Sequence, residues 1–217
     1  MRTCCAALLG LMMQVSAPEQ PPQILQIYRE AIKPGQEAAY TAIEEDITWI
    51  CFDLKCPHPY LGTESLSGPK EVWFFNGYRS EAAKQASYDA YARNATLMAA
   101  LTEASNRKAA LTDAPVEVFT SYRPDLTEGE PWLLGRGRFL VITITRGSAA
   151  GTVFEASDGT RFIFRAAATR EEADAAAAKA GSDARVFAVR PTWSTPARAW
   201  VDADPRFWRA YPPVLPR

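Results

Sequence analysis

The chain has 217 residues, with 24 Lys+Arg against 25 Asp+Glu, and the resulting net charge of −1 gives no basis for a nucleic-acid partner. Hydrophobic residues make up 47% of it, enough for a sizeable core, so disorder is not the default. The length admits one large domain or two small ones.

Residues 1–17 hold one charge, Arg2, then an apolar run from Cys4 to Met13 and small residues at Val15-Ser16-Ala17. That is the layout of a secretory signal peptide, and the run is too short to span a bilayer. A periplasmic or secreted mature protein is therefore expected. No later segment has the roughly 18 unbroken apolar residues of a transmembrane helix.

Residues 18–22 read as an extended leader. Residues 24–30 alternate, with Leu25 and Ile27 pointing one way and Gln26, Tyr28 and Glu30 the other, which predicts a half-buried strand. Lys33-Pro34-Gly35 ends it. The following helix is predicted to bury Ile43, Ile47, Ile50 and Leu54, leaving Glu37, Glu44 and Glu45 on the solvent side. Two strands come next, 60–66 and 71–78, joined by the turn Ser67-Gly68-Pro69. Ser80 reads as an N-cap to a helical stretch, 81–111, broken near Asn94. Val116–Tyr122 is the last strand of a β-α-β-β-α-β unit, the ferredoxin-like order.

Residues 125–131 look like a linker. Beyond it, strands are expected at 138–145, 153–156, 161–167 and 185–190. Asp158-Gly159 supplies a hairpin turn, and Thr169 with Glu172 a capping box for a helix ending near Gly181. The order β-β-β-α-β matches the first half if its first helix has shrunk to the 147–151 connection. The expected organisation is a signal peptide at 1–17, a first ferredoxin-like half at 18–126, a reduced second half at 132–191 and a Pro- and aromatic-rich arm at 192–217. Residues 18–130 carry 10 Lys+Arg and 17 Asp+Glu, whereas residues 131–217 carry 13 and 8. The halves are thus of opposite sign and expected to attract each other. The alternative is that the Arg-rich half faces an anionic partner.

The stretch Ile27-Tyr28-Arg29-Glu30-Ala31-Ile32-Lys33-Pro34-Gly35-Gln36-Glu37-Ala38-Ala39-Tyr40 resembles the opening of NIPSNAP-like and other dimeric α/β-barrel proteins, where a strand ending in such a turn feeds the first helix. The resemblance covers about residues 24–124. It implies an α+β protein in which two ferredoxin-like units pack sheet to sheet, as fused halves or as a homodimer. That superfamily includes cofactorless monooxygenases and haem-handling enzymes. No catalytic residue pattern carries over, so whether the chain is an enzyme stays open.

Cys51 and Cys56 remain after a signal peptide is removed. Of a disulfide, free buried thiols and a metal site with His58, the Cys51–Cys56 disulfide is expected, since two thiols in an oxidising compartment pair, the spacing does not match usual zinc patterns, and no metal or cofactor is expected. His58, the only histidine, sits between two prolines as either a positioned base or an ordinary loop side chain. Glu64 lies on a strand, where an inward-facing carboxylate would have a raised pKa. Trp73, Phe74 and Phe75 put aromatics on both faces of one strand. Trp73 and Phe75, with Tyr28 and Tyr122 adding polar tips and His58 and Glu64 as further candidates, are expected to line a small-ligand pocket between the two sheets. Three functions follow as expectations: a binder of a small apolar or aromatic ligand, a cofactor-independent oxygenase- or isomerase-like enzyme in the same pocket, or an envelope interaction protein using its Arg-rich half. The polarity of the space between the sheets discriminates among them.

Overall fold

The structure, a computed structural model, describes residues 19–208; the expected signal segment and the end of the arm, residues 209–217, lie outside the described residues. Strands β1 (Ile24–Ala31), β2 (Leu61–Ser65), β3 (Glu71–Tyr78), β4 (Val116–Tyr122), β5 (Phe139–Thr145), β6 (Thr152–Ala156), β7 (Arg161–Ala167) and β8 (Ala184–Val189) close into one barrel in the order β1-β3-β2-β8-β5-β7-β6-β4. Helices α1 (Glu37–Asp53), α2 (Glu81–Ala92) and α3 (Ala95–Ala109) cover the first half, and α4 (Arg170–Ala180) the second.

The barrel is an α+β fold of two ferredoxin-like halves. The first contributes β4-β1-β3-β2 and the second β8-β5-β7-β6, the same order strand for strand. Two antiparallel seams join them. At one, Thr63, Glu64 and Ser65 pair with Val189, Ala188 and Phe187; at the other, Thr120, Ser121 and Tyr122 pair with Ala156, Glu155 and Phe154. Closure leaves no strand edge unpaired. It also fills, within one chain, the face through which a homodimer of first halves would form. On the β2–β8 side ion pairs join the halves with the expected sign, Arg185 to Glu71 at 2.8 Å and Arg190 to Glu64 at 3.6 Å, whereas at the β4–β6 seam Arg123 of the first half pairs with Glu155 of the second.

Local chemistry places most elements. Ser80 accepts a hydrogen bond from the Ala83 amide and Asn94 from that of Leu97, so the chain turns between α2 and α3 where the helical stretch was expected to break. Thr169 and Glu172 form the capping box of α4. Gly159 supplies the positive φ (81°) of the β6–β7 hairpin, where Asp158 accepts from the Thr160 amide at 2.9 Å. No helix lies between β5 and β6.

The interior differs from expectation. Leu25, Ile27, Leu61, Trp73, Phe75, Leu140, Ile142, Phe154, Phe162, Phe164, Phe187 and Val189 all point inward and are buried. Rings meet at 4.9 Å (Trp73–Phe187) and 5.5 Å (Phe75–Phe164), so aromatic packing occupies the space where a ligand pocket was expected. The described part of the arm, residues 192–208, is packed as a plug. Trp132 stacks on Phe164 at 4.7 Å, and Trp200 and Trp208, from α5 (Arg198–Ala203) and α6 (Pro205–Trp208), close the same end of the barrel. Gly135 is required there: its φ is +83°, and a Cβ on it would lie 2.1 Å from the Trp200 ring.

Helix α1 is also turned relative to the sequence reading. Its buried stripe is Tyr40, Glu44, Thr48 and Cys51, while Ile43, Ile47 and Ile50 flank it half-buried. Cys51 and Cys56 form a disulfide across the end of α1, with the Cys56 amide donating to the Cys51 carbonyl at 2.8 Å.

Two outcomes follow. Reduction of the bridge should lower stability by about 2 kcal/mol, the loop entropy of so short a ring, measured as a shift in denaturant midpoint. Residues 19–126 alone would expose the aromatic inner face of their sheet, so light scattering should find them associated; a monodisperse monomer would contradict this packing.

Candidate functional site

Alternation on β1 and β3 directs Gln26, Tyr28 and Glu30, with Phe74, Asn76 and Tyr78, to the outer face of the first sheet. Helices α1 to α3 lie over this face but do not seal it. A cavity of about 550 Å³ remains, walled by these sheet residues other than Glu30, by Glu44 and Ile47 of α1, by Tyr88 and Tyr91 of α2, by Met98 and Lys108 of α3, and by Tyr60 and Glu117.

A buried charge cluster lies at one end. Lys108 Nζ stands 2.8 Å from Glu30 Oε2 and 2.8 Å from Glu44 Oε1. Tyr40 donates its hydroxyl to Glu30 Oε2 at 2.7 Å, and Tyr28 donates to Glu30 Oε1 at 3.2 Å. The ammonium also sits over the rings of Tyr28, Tyr40 and Phe74, at 5.7, 5.7 and 5.4 Å. Glu30, Glu44 and Lys108 are all buried, so their charges interact with little screening by water.

Burial pushes the Glu44 carboxyl above the usual carboxylate range, and the Lys108 ammonium beside it only partly offsets this. Burial acts to lower Lys108, but Glu44 and Glu30 outweigh it and hold the amine above the ordinary lysine value. The cluster therefore retains protons. The phenols do the same. Burial, reinforced by the Glu30 charge, pushes Tyr28 up to about 12, and burial alone takes Tyr91 to about 12. Tyr78 is raised by burial and by its neighbours Tyr88 and Tyr91. At neutral pH the polar side of the cavity thus offers hydrogen-bond donors rather than a phenolate or amine base.

At the other end, Tyr78 donates to Gln26 Oε1 at 3.1 Å, and Gln26 in turn donates to Glu117. His58 stacks on Tyr78, ring centroids 4.5 Å apart, behind the wall and not on it. Burial lowers its pKa, with a backbone hydrogen bond to Gly77 opposing, so the ring is neutral near neutral pH. Cys51 reaches the wall too, but as a half-cystine. Among the described residues, no group of three His, Cys, Asp or Glu could hold a metal ion.

The structure scatters the residues singled out from the sequence. Tyr28 lines the cavity, on the helix side of its sheet and not between the sheets. His58 touches it only through Tyr78. Glu64 sits at the β2–β8 seam beside Arg190, outside the cavity. Trp73 and Phe75 belong to the barrel interior, and Tyr122 packs on Phe154 at 5.5 Å, also on the inner side. Glu44 and Lys108 were missed. Both continue stripes legible in hindsight: Tyr40-Glu44-Thr48-Cys51 on α1, and Leu97-Leu101-Ala104-Lys108 on α3. In each, a charge stands where periodicity calls for an apolar residue.

No protein-family model matches the chain, and no curated protein matches it. Among solved structures, it is similar to a candidate monooxygenase from Fusobacterium nucleatum subsp. nucleatum, with a TM-score of 0.49, 8% identity, and coverage of 79% of this chain and 94% of that one. It is also similar to a candidate monooxygenase from Lactobacillus acidophilus NCFM, with a TM-score of 0.44, 9% identity and the same coverages, 79% and 94%. At such identities no residue of either protein transfers to a position in this chain.

The charge cluster predicts a pH dependence. A raised Glu44 pKa means that the folded state binds this proton more tightly than the unfolded state does. The associated stability is complete below the ordinary carboxyl value of 4.5 and is lost as pH rises through the folded value. Relative to Glu44→Gln, the wild-type denaturation midpoint should therefore fall as pH is raised from 4.5 towards neutrality. Parallel curves, or a wild type that gains relative to the variant, would contradict a raised Glu44 pKa.

Proposed function

We propose that the protein binds a small apolar or aromatic molecule in the cavity between its first sheet and helices α1 to α3. The observation that carries this reading is the cavity's construction: about 550 Å³ walled largely by aromatic and aliphatic groups, with Lys108 and Glu44 converging at one end. Such a site selects a flat apolar body and orients it by one polar group that accepts hydrogen bonds, a carbonyl or an ether oxygen. The filled barrel interior is the reason for placing the ligand outside the sheets and not between them.

One observation favours an enzyme as the alternative. Glu44 is a carboxyl on the cavity wall whose pKa burial raises, and a weakened acid beside a carbonyl is the kind of proton donor isomerase-like chemistry requires. An envelope interaction protein is less well supported. Arg138, Arg161, Arg170, Arg185 and Arg190 all pair with acids of this chain, so much of the basic charge of the second half is neutralised internally.

Export also belongs to the proposal. The Cys51–Cys56 bridge fits an oxidising compartment, periplasmic or extracellular, and no helix among the described residues is long and apolar enough to cross a membrane. The NIPSNAP-like placement rests on the motif at 27–40, which forms the end of β1, the Lys33-Pro34-Gly35 turn and the start of α1.

Native mass spectrometry of protein purified from its own host should reveal a co-purifying small molecule. Met98 lines the cavity yet is 39% exposed, so Met98→Trp would narrow the cavity with little demand on the core. The variant should melt as wild type does and carry at most a tenth of the ligand, roughly the loss of 1.4 kcal/mol of binding. A wild type with nothing bound, or equal occupancy in the variant, would overturn the reading. Turnover of the bound molecule that Glu44→Gln abolishes would establish the enzyme alternative.

A further inference from the structure

The barrel has two unlike ends. The tryptophan plug closes one. At the other, where β1 and β5 finish and β3 and β8 begin, the innermost side chains include Arg29, Glu71 and Arg185. Both guanidinium groups lie over Trp73, at 5.1 Å for Arg29 and 5.8 Å for Arg185, and Arg185 also lies over Phe187 at 5.1 Å. One carboxylate faces two cations, and it is already engaged: Glu71 Oε2 accepts from Trp73 Nε1 at 2.7 Å and from Arg185 at 2.8 Å. Arg185 spends a second donor on the Pro69 carbonyl, at 2.9 Å. Arg29 makes no hydrogen bond or ion pair with a described residue, and the Nε atoms of both arginines are buried without a hydrogen-bond partner. Among these three groups one positive charge is left over, set against an aromatic floor.

We propose that this end of the barrel is an oxyanion site, in which Arg29 and Arg185 together bind a phosphate or carboxylate group. A guanidinium presents a planar fork of donors suited to such an anion, and stacking on Trp73 holds that plane in place. The two Nε atoms are closed off from solvent, so an anion would meet the terminal Nη groups, those of Arg29 being unengaged by any described residue, and would balance the surplus charge. Arg29 comes from the first half and Arg185 from the second, so the site exists only in the closed barrel. It lies on the inner side of the sheet, opposite the sheet–helix cavity, and does not depend on what that cavity holds. Glu71 has two roles here: it anchors Arg185, and it competes with the incoming anion. Burial works against its charge, but hydrogen bonds from Trp73 and Arg185 and the nearby Arg29 hold its carboxyl below the usual range.

The test uses the whole chain and the indole N–H signal of Trp73, assigned by its loss in Trp73→Phe. Inorganic phosphate and butyrate are titrated separately against sodium chloride at matched ionic strength. A saturable shift of that signal by either anion, beyond the chloride control, supports the site, and the tighter of the two names the anion class. Arg29→Gln should weaken the binding by about tenfold or more, the loss of a charge-assisted contact. Glu71→Gln, which keeps an acceptor for Trp73 but removes the competing charge, should strengthen it. If neither anion moves the wild-type signal beyond chloride, the proposal fails whatever the variants do. It fails equally if a folded Arg29→Gln binds as well as wild type.

Discussion

Closure of the barrel is the constraint on which the rest of this structure depends. Two four-stranded sheets of one topology meet at seams of three residue pairs each, and the join leaves every strand paired on both sides. Backbone pairing at the seams is short. What holds the sheets face to face is the aromatic content between them, where Trp73, Phe75, Phe154, Phe162, Phe164 and Phe187 are each buried to within 3% of full exclusion from solvent. Large rings fill that volume with few side chains, and each fully buried one contributes roughly 1.5–3 kcal/mol relative to exposure. The same packing removes the interior as ligand space. Room for a ligand is therefore displaced to the outer faces, between sheet and helix.

There the two halves diverge. In the first, α1 and α3 stand on the sheet with the Lys108 cluster between them, and the polar groups prevent the layers from closing fully. In the second, no helix follows β5, and the segment after β4 takes its place: Val153 donates to Thr127 Oγ1, and Glu128 donates to the Gly151 carbonyl. The space beneath this segment is about 140 Å³, a quarter of the cavity on the other half. Among the described residues, the outer face of the first half thus keeps the larger space between sheet and covering segment, although the strand order of the halves is identical.

The strand and helix order, the turns and the helix caps were legible in the sequence because each rests on local chemistry: alternation over 24–30, Asp158-Gly159, Ser80, Asn94, Thr169 with Glu172. The disulfide was among the readings that its two cysteines allowed. The site was not legible, for a physical reason. Periodicity assigns a helix face by assuming that charges seek water, and α1 breaks the assumption. Glu44 is buried because Lys108, 64 residues later, meets it at 2.8 Å. Nothing within either helix announces that pairing. The Ile43-Ile47-Ile50 stripe was therefore the better local solution and the wrong one. Likewise, alternation correctly separated Tyr28 from Ile27 but could not say which side held the other sheet.

A buried lysine between two carboxylates adds little net stability, because desolvating three charges offsets most of their mutual attraction. An apolar trio in the same place would pack the layer shut. The cluster's contribution lies in specificity and chemistry. It fixes α3 against α1 and β1 by directed bonds and keeps one end of the cavity polar. It also raises the pKa of each group around it, the Lys108 amine, the Glu44 carboxyl and the phenols of Tyr28 and Tyr40, so that each holds its proton more tightly than it does in water. An apolar cavity ending in donors stabilises negative charge that develops on a bound oxygen more than it stabilises a neutral ground state. Binding and proton-transfer chemistry therefore differ here only in whether the ligand has a bond that such a donor can polarise. The wall suits both, so the two proposed readings differ only in the chemistry of a molecule placed there.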